Sequence, residues 1–202
     1  MYISLGGSCA TIHQIIKHVG KNETLFFDWL VSNKFSDVLF LLNNHSNIKD
    51  ILNKNSITIL EPISGKTKIK FLEECYSLHD VPGNYTDKNI ESFLKKYKRR
   101  LLRIIDIIKN KKETIFFLRS SESSTSKLQK NKFHESIYNI NNNLNYFLLD
   151  ISYSNKSHNT IEYEDKCCSI NLKENNSNKN WTLDHLDWKF AFDSIGQIKY
   201  GK

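Results

Sequence analysis

The opening residues constrain the fold more than any other part of the chain. Met1-Tyr2-Ile3-Ser4-Leu5 reads as a short buried strand and runs directly into Gly6-Gly7-Ser8-Cys9. The period then changes: Ile12, Ile15, Ile16 and Val19 recur at helical spacing, and Gly20 stands where a helix closes. Strand, glycine turn and helix form one unit, and its turn is where an α/β protein places its chemistry. Two adjacent glycines allow positive φ and close approach to the backbone, while the free N–H groups of the helix's first turn face whatever sits above it. A thiol at that position is expected to gain acidity from the positive helix end. Ser8 has two readings, helix N-cap and nucleophile, and Cys9 also has two, small buried residue and nucleophile. The tetrad lacks the longer glycine fingerprints of dinucleotide or phosphate sites.

The rest of the chain repeats the alternation. Phe35 to Leu42 and Asp87 to Lys109 read as helices, and Thr114 to Leu118 as a buried strand ending in a polar loop, Arg119-Ser120-Ser121-Glu122. Lys127 to Ile140 follows as a helix, Tyr146 to Ile151 as a strand, and Thr160 to Tyr163 with Cys168 to Leu172 as two late strands. Ile57 to Leu60 and Ile69 to Leu78 are extended, the second leading into His79-Asp80 and a Pro82-Gly83 turn. A polar loop over 175–180 precedes a closing helix over 181–192. The expected fold is α/β: a single three-layer domain over residues 1–202, Rossmann-like or SGNH-like in its winding. Its sheet is mainly parallel, with the site at the carboxyl ends of the strands. Arg119 would share that rim with the glycine turn, as an anion or substrate anchor or as an ordinary surface arginine.

At 202 residues and 39% hydrophobic, the chain can bury one good core. The charge of +7 is mostly lysine mixed with abundant Asn and Ile, which spreads basic charge over the surface. Nucleic acid is therefore not the expected partner. The dense run Lys95-Lys96-Tyr97-Lys98-Arg99-Arg100 falls in a helix and reads as a solvated face. No basic lead with a long apolar region opens the chain, and no apolar run reaches the length of a membrane span, so an intracellular, cytoplasmic protein is expected. Cys9, Cys75, Cys167 and Cys168 have no metal-ligand spacing and read as free thiols. No cofactor is expected, and the oligomeric state is open.

Asp28, between Phe27 and Trp29, is either a cap for the next segment or a partner for a polar group near the glycine turn. Together, Ser4-Leu5-Gly6-Gly7-Ser8-Cys9, Phe27-Asp28-Trp29, His79-Asp80 and the strand ending in Arg119 resemble the motif series of a poorly characterised family of papain-like cysteine peptidases, a domain of unknown function. The resemblance covers roughly residues 1 to 150. It implies Cys9 as nucleophile, His79 as base, and Asp80 or Asp28 to orient the imidazole. Backbone N–H groups at Cys9 and Gly7 would bind an oxyanion, with Gly6, Ser8, Asp28 and Arg119 around the substrate. The substrate would be a peptide or ester.

The same Gly-Ser-Cys after a first strand also resembles the opening block of SGNH-type hydrolases of the GSCFA group. That resemblance implies a serine esterase or acyltransferase acting through Ser8, on esters often carried by glycans. The base would come from Asp184-His185, an adjacent pair where that superfamily has Asp-x-x-His. A non-catalytic α/β module that keeps the turn for an anion or a peptide end is the third reading. The three differ in which histidine, His79 or His185, reaches the turn.

Overall fold

The computed structural model describes residues 1–20, 23–153, 158–174 and 180–199. In chain order the elements are β1 (Tyr2–Ser4), α1 (Cys9–Val19), β2 (Leu30–Ser32), α2 (Phe35–Asn43), α3 (Ile48–Ile51), β3 (Thr58–Ile63), β4 (Lys66–Lys70) and β5 (Cys75–Pro82). After these come α4 (Asp87–Asn110), β6 (Ile115–Ser121), α5 (Lys127–Ile140), β7 (Tyr146–Ser152), β8 (Thr160–Glu164), β9 (Cys167–Asn171) and α6 (Trp188–Lys199).

The fold is α/β. Its main sheet runs β1-β6-β7-β9-β8, parallel except at the β8 edge. The continuous apolar strands of this sheet serve two cores at once, because successive side chains point to opposite faces. Phe116, Leu118, Leu149 and Ile151 face α1 and α6, meeting Ile12, Ile15, Trp188, Ala191 and Ile195. Ile115, Phe117, Tyr146 and Leu148 face the other way, onto Leu101, Ile104 and Ile108 of α4 and Phe133 and Ile137 of α5. Helix starts obey local chemistry: Thr86 with Asn89 and Ser126 with Gln129 form reciprocal caps at α4 and α5.

The expectation of one sheet is corrected by a second one. Strands β2-β5-β4-β3 form an antiparallel sheet. Leu30, Ile69, Cys75 and Val81 from it, with Phe71 just after β4, enter the same core cluster as Phe117 and Leu148. Phe71 sits among Phe26, Phe93 and Tyr97, with ring centroids 4.9 to 5.7 Å away. The second sheet is held through aromatic burial to α4 and to the segment before β2.

Two boundaries also differ. The segment read as a polar loop from Arg119 remains in β6 through Ser121, because Arg119, Ser120 and Ser121 pair with Asp150, Ile151 and Ser152. The closing helix begins at Trp188 instead of near Trp181; Asp187 accepts from the Phe190 N–H at 3.2 Å, the bond an N-cap makes. Residues 175–179 of the expected polar loop lie outside the described residues. The basic run on α4 is only partly a solvated face, since Tyr97 is fully buried and Lys96 pairs with Asp80. Among the described residues no helix is long and apolar enough to cross a membrane.

Candidate active site

The glycine turn is built by contact. Gly6 and Gly7 take φ of +78° and +95°. A Cβ on Gly6 would lie 2.3 Å from Ser32 Oγ, and one on Gly7 would lie 1.7 Å from the Ser120 carbonyl oxygen. Only glycine fits between the carboxyl ends of β2 and β6. Ser32 then fastens the turn: its Oγ accepts from Gly7 N–H at 2.9 Å, and its own N–H donates to Gly7 O at 3.1 Å. Thr11 Oγ1 donates to Gly6 O at 2.9 Å. The Gly7 N–H is thereby engaged inside the protein, which corrects its expected role as an oxyanion donor.

Cys9 is the first residue of α1 and is 9% exposed. Burial pushes its thiol up and the charge of Asp80 adds to this, while the residue's own main-chain N–H acts in the opposite direction. Burial thus opposes the acidity expected from the helix end. Ser8 occupies the N-cap position in extended conformation, but its side chain makes no capping bond. Its Oγ is shut off from solvent and has no partner.

His79 and Asp80 lie within β5, not in a turn. Between the pairs Ile69↔Ser77 and Thr67↔Val81 the register shifts, so that Leu78, His79 and Asp80 stand opposite Lys68 alone. Bulges of this kind re-aim side chains beside active sites. Asp80 turns toward α4, where it accepts from Lys96 Nζ and Tyr97 OH, and from Ser77 Oγ at 3.0 Å. Burial would raise its carboxyl, yet the hydrogen bonds from Lys96, Tyr97 and Ser77 hold it below the usual range. His79 is exposed. Among the described residues no hydrogen bond joins it to Cys9 or to Asp80.

The structure nonetheless brings Ser8, Cys9, His79 and Asp80 onto the wall of one cavity of about 750 Å³. Trp29, Val31, Leu78, Tyr153, Trp181 and Leu183 complete the lining. Ser8 and Cys9 follow β1, and Tyr153 follows β7, so the cavity opens at the carboxyl edge of the parallel sheet and is closed from the side by β2 and β5. The sequence assigned none of the six apolar lining residues to the site. Only Trp29 carried a signal, through its place in Phe27-Asp28-Trp29.

Other expected site residues are placed elsewhere. Asp28 is fully buried and accepts from Leu25 N–H at 2.7 Å, fastening the turn that ends in Trp29. Arg119 is 2% exposed; it donates to Leu5 O at 3.4 Å, Ser32 Oγ at 3.3 Å, Ser32 O at 3.0 Å and Asn33 O at 3.1 Å. Burial lowers its guanidinium to about 10, with Asp150 opposing. It ties the ends of β1, β2 and β6 together and is absent from the cavity wall, against its expected role as a substrate anchor. His185 is buried and also absent from that wall. Asp184 faces α1, accepting from Gln14 Nε2 at 2.8 Å and Lys17 Nζ at 2.6 Å. A triad of Ser8, His185 and Asp184 is not assembled.

No solved structure matches the chain. It is 24% identical over 214 residues to an uncharacterized protein of Acanthamoeba polyphaga mimivirus, an alignment covering 94% of this chain and 95% of the relative. Residues 1–155 match the family described as "Putative papain-like cysteine peptidase (DUF1796)", a span that holds the glycine turn, Cys9, the Asp28 turn, His79, Asp80 and Arg119, and the chain belongs to that family.

Proposed function

We propose that the protein is a thiol hydrolase in which Cys9 is the nucleophile and His79 the general base. The observation that carries this reading is that Cys9, at the start of α1, and His79, on β5 of the second sheet, line the same cavity. Their hydrogen bond is open in the free protein; such bonds commonly tighten only with substrate present. As Cys9 Sγ attacks a carbonyl carbon, its proton passes to the His79 imidazole and the carbonyl electrons move to oxygen. The Cys9 N–H at the start of α1 is the donor that faces that oxygen. Collapse expels the alcohol or amine, which takes the proton from His79, and leaves an S-acyl enzyme. A water then gives one proton to His79 and attacks the thioester carbonyl; the C–S bond breaks and Cys9 is re-protonated. Asp80 stands next to His79 on β5, held by Lys96, Tyr97 and Ser77 and without a bond to the ring.

The family supports a peptide substrate, and the chemistry serves an ester equally. The test is acyl transfer from p-nitrophenyl esters, followed by peptide mass spectrometry. An acyl group on Cys9 is expected, formed about a hundredfold or more slowly in His79→Ala. Acylation indifferent to His79 would overturn the base assignment. An acyl group on Ser8 would move the nucleophile by one residue.

A further inference from the structure

The chemical character of the cavity is uneven. Four of its lining residues, Ser8, Cys9, His79 and Asp80, carry the polar and titratable groups of the proposed chemistry, and of these Asp80 is already held by three donors. The other six are Trp29, Val31, Leu78, Tyr153, Trp181 and Leu183. Among the described residues no lysine or arginine lines the cavity. A volume of about 750 Å³ falls within the range of ligand pockets.

The backbone gives a second, independent sign. Trp29 and Leu183 take φ of +64° and +56°, a conformation that bulky L-residues rarely adopt. Both lie in this wall. Such strain persists where the surroundings over-determine it, and it clusters at ligand clamps. At Trp29 the agent is visible: buried Asp28 holds the Leu25 N–H, and Leu30 N–H donates to Phe27 O at 3.3 Å, so the turn presents the indole to the cavity. At the mouth, Trp181 is 63% exposed and rests edge-on against His13, with ring centroids 5.4 Å apart. An exposed indole propped on a helix side chain forms an apolar rim that a ligand can cover.

We infer that this cavity binds a large apolar acyl group, an aliphatic chain or the acyl side of an apolar amino-acid residue, with its carbonyl at Cys9 and its body against Trp29 and Leu183. The carbonyl placement rests on the reading of Cys9 as nucleophile. The apolar binding does not.

The experiment has two arms. In the first, acyl transfer to Cys9 is compared for the p-nitrophenyl esters of acetate, butyrate, octanoate and N-acetylphenylalanine. Efficiency should rise about fourfold for each added methylene until the cavity is filled. Preference for octanoate over the phenylalanine ester would identify a lipid-type acyl source, and the reverse a peptide. In the second, octanamide is titrated into Cys9→Ala and followed by tryptophan fluorescence, Trp29 and Trp181 being in the wall. Binding should weaken about tenfold or more in Leu183→Gly, which removes a wall side chain at a φ that suits glycine and should leave the melting temperature within a few degrees. Octanamide binding without acylation of Cys9 would uphold the apolar site and overturn the catalytic reading. Equal acylation by acetate and octanoate, with no octanamide binding, would overturn the inference and leave Cys9 as nucleophile.

Discussion

Gly7 and Ser120 are packed backbone to backbone: the Gly7 Cα hydrogen that a side chain would replace points at the Ser120 carbonyl oxygen, 1.7 Å from where a Cβ would stand. Neither partner can yield, since Ser120 is a paired residue of β6 and Gly7 is held on both its N–H and its C=O by Ser32. The glycine turn is thus a seam between the two sheets.

Gly7→Ala should destabilise the protein by about 3 kcal/mol or more, since main chain must move to admit the methyl group. Gly65→Ala is the control: its φ of +74° is as unfavourable, yet nothing lies within 4 Å of the added carbon. A loss of only about 1 kcal/mol is expected there. Urea unfolding of the two variants beside the parent separates packing from dihedral strain.

Asp80 should leave a mark on acid stability. Its carboxyl is held below the ordinary value of 3.8. A group whose folded-state value is depressed contributes stability that is present above its unfolded value and lost as pH falls through the folded one. The parent should therefore lose urea resistance as pH drops below about 4, and Asp80→Asn should lose less over the same range. Because the Asp80 charge also raises the Cys9 thiol, the substitution should move the pH midpoint of iodoacetamide labelling at Cys9 downward. An unmoved midpoint would remove Asp80 from the electrostatics of the site.

Arg119 is a structural tie. Its donors reach carbonyls of Leu5, Ser32 and Asn33, and its guanidinium lies 5.1 Å from the Phe35 ring centroid. A lysine keeps the charge but cannot span three carbonyls with a planar fork. Arg119→Lys is expected to cost about 2–4 kcal/mol, read as a lower urea midpoint.

What the sequence disclosed follows the strength of its periodicity. Helices α2, α4 and α5 and the strands β6 and β7 were legible because each repeats one period over many residues, and both sheet faces are covered. The second sheet was not. Its strands are short and partly exposed, and the alternation in β5 breaks where Leu78, His79 and Asp80 bulge, so that a catalytic-looking His-Asp pair resembled a turn. Asp187 carried a readable cap signal for α6, but the apolar residues from Trp181 onward outweighed it. They belong instead to the loop that walls the cavity.

The candidate site was legible as chemistry and illegible as electrostatics. Cys9 at a helix start suggested an acidic thiol, whereas burial against the neighbouring sheet dominates. Whether a residue near a helix end is dry depends on chain segments distant in sequence, here β2 and β5. Asp28 and Arg119 shared the same ambiguity: polar residues in apolar runs, both of which fasten main chain.

The bulge in β5 means that residue count, as well as residue identity, sets the contents of the cavity. Deleting Leu78 would keep His79 and Asp80 and still shift the β5 ladder by a place, exchanging the directions in which its side chains face. An insertion or deletion at this point would therefore alter the site as sharply as substitution of His79 itself.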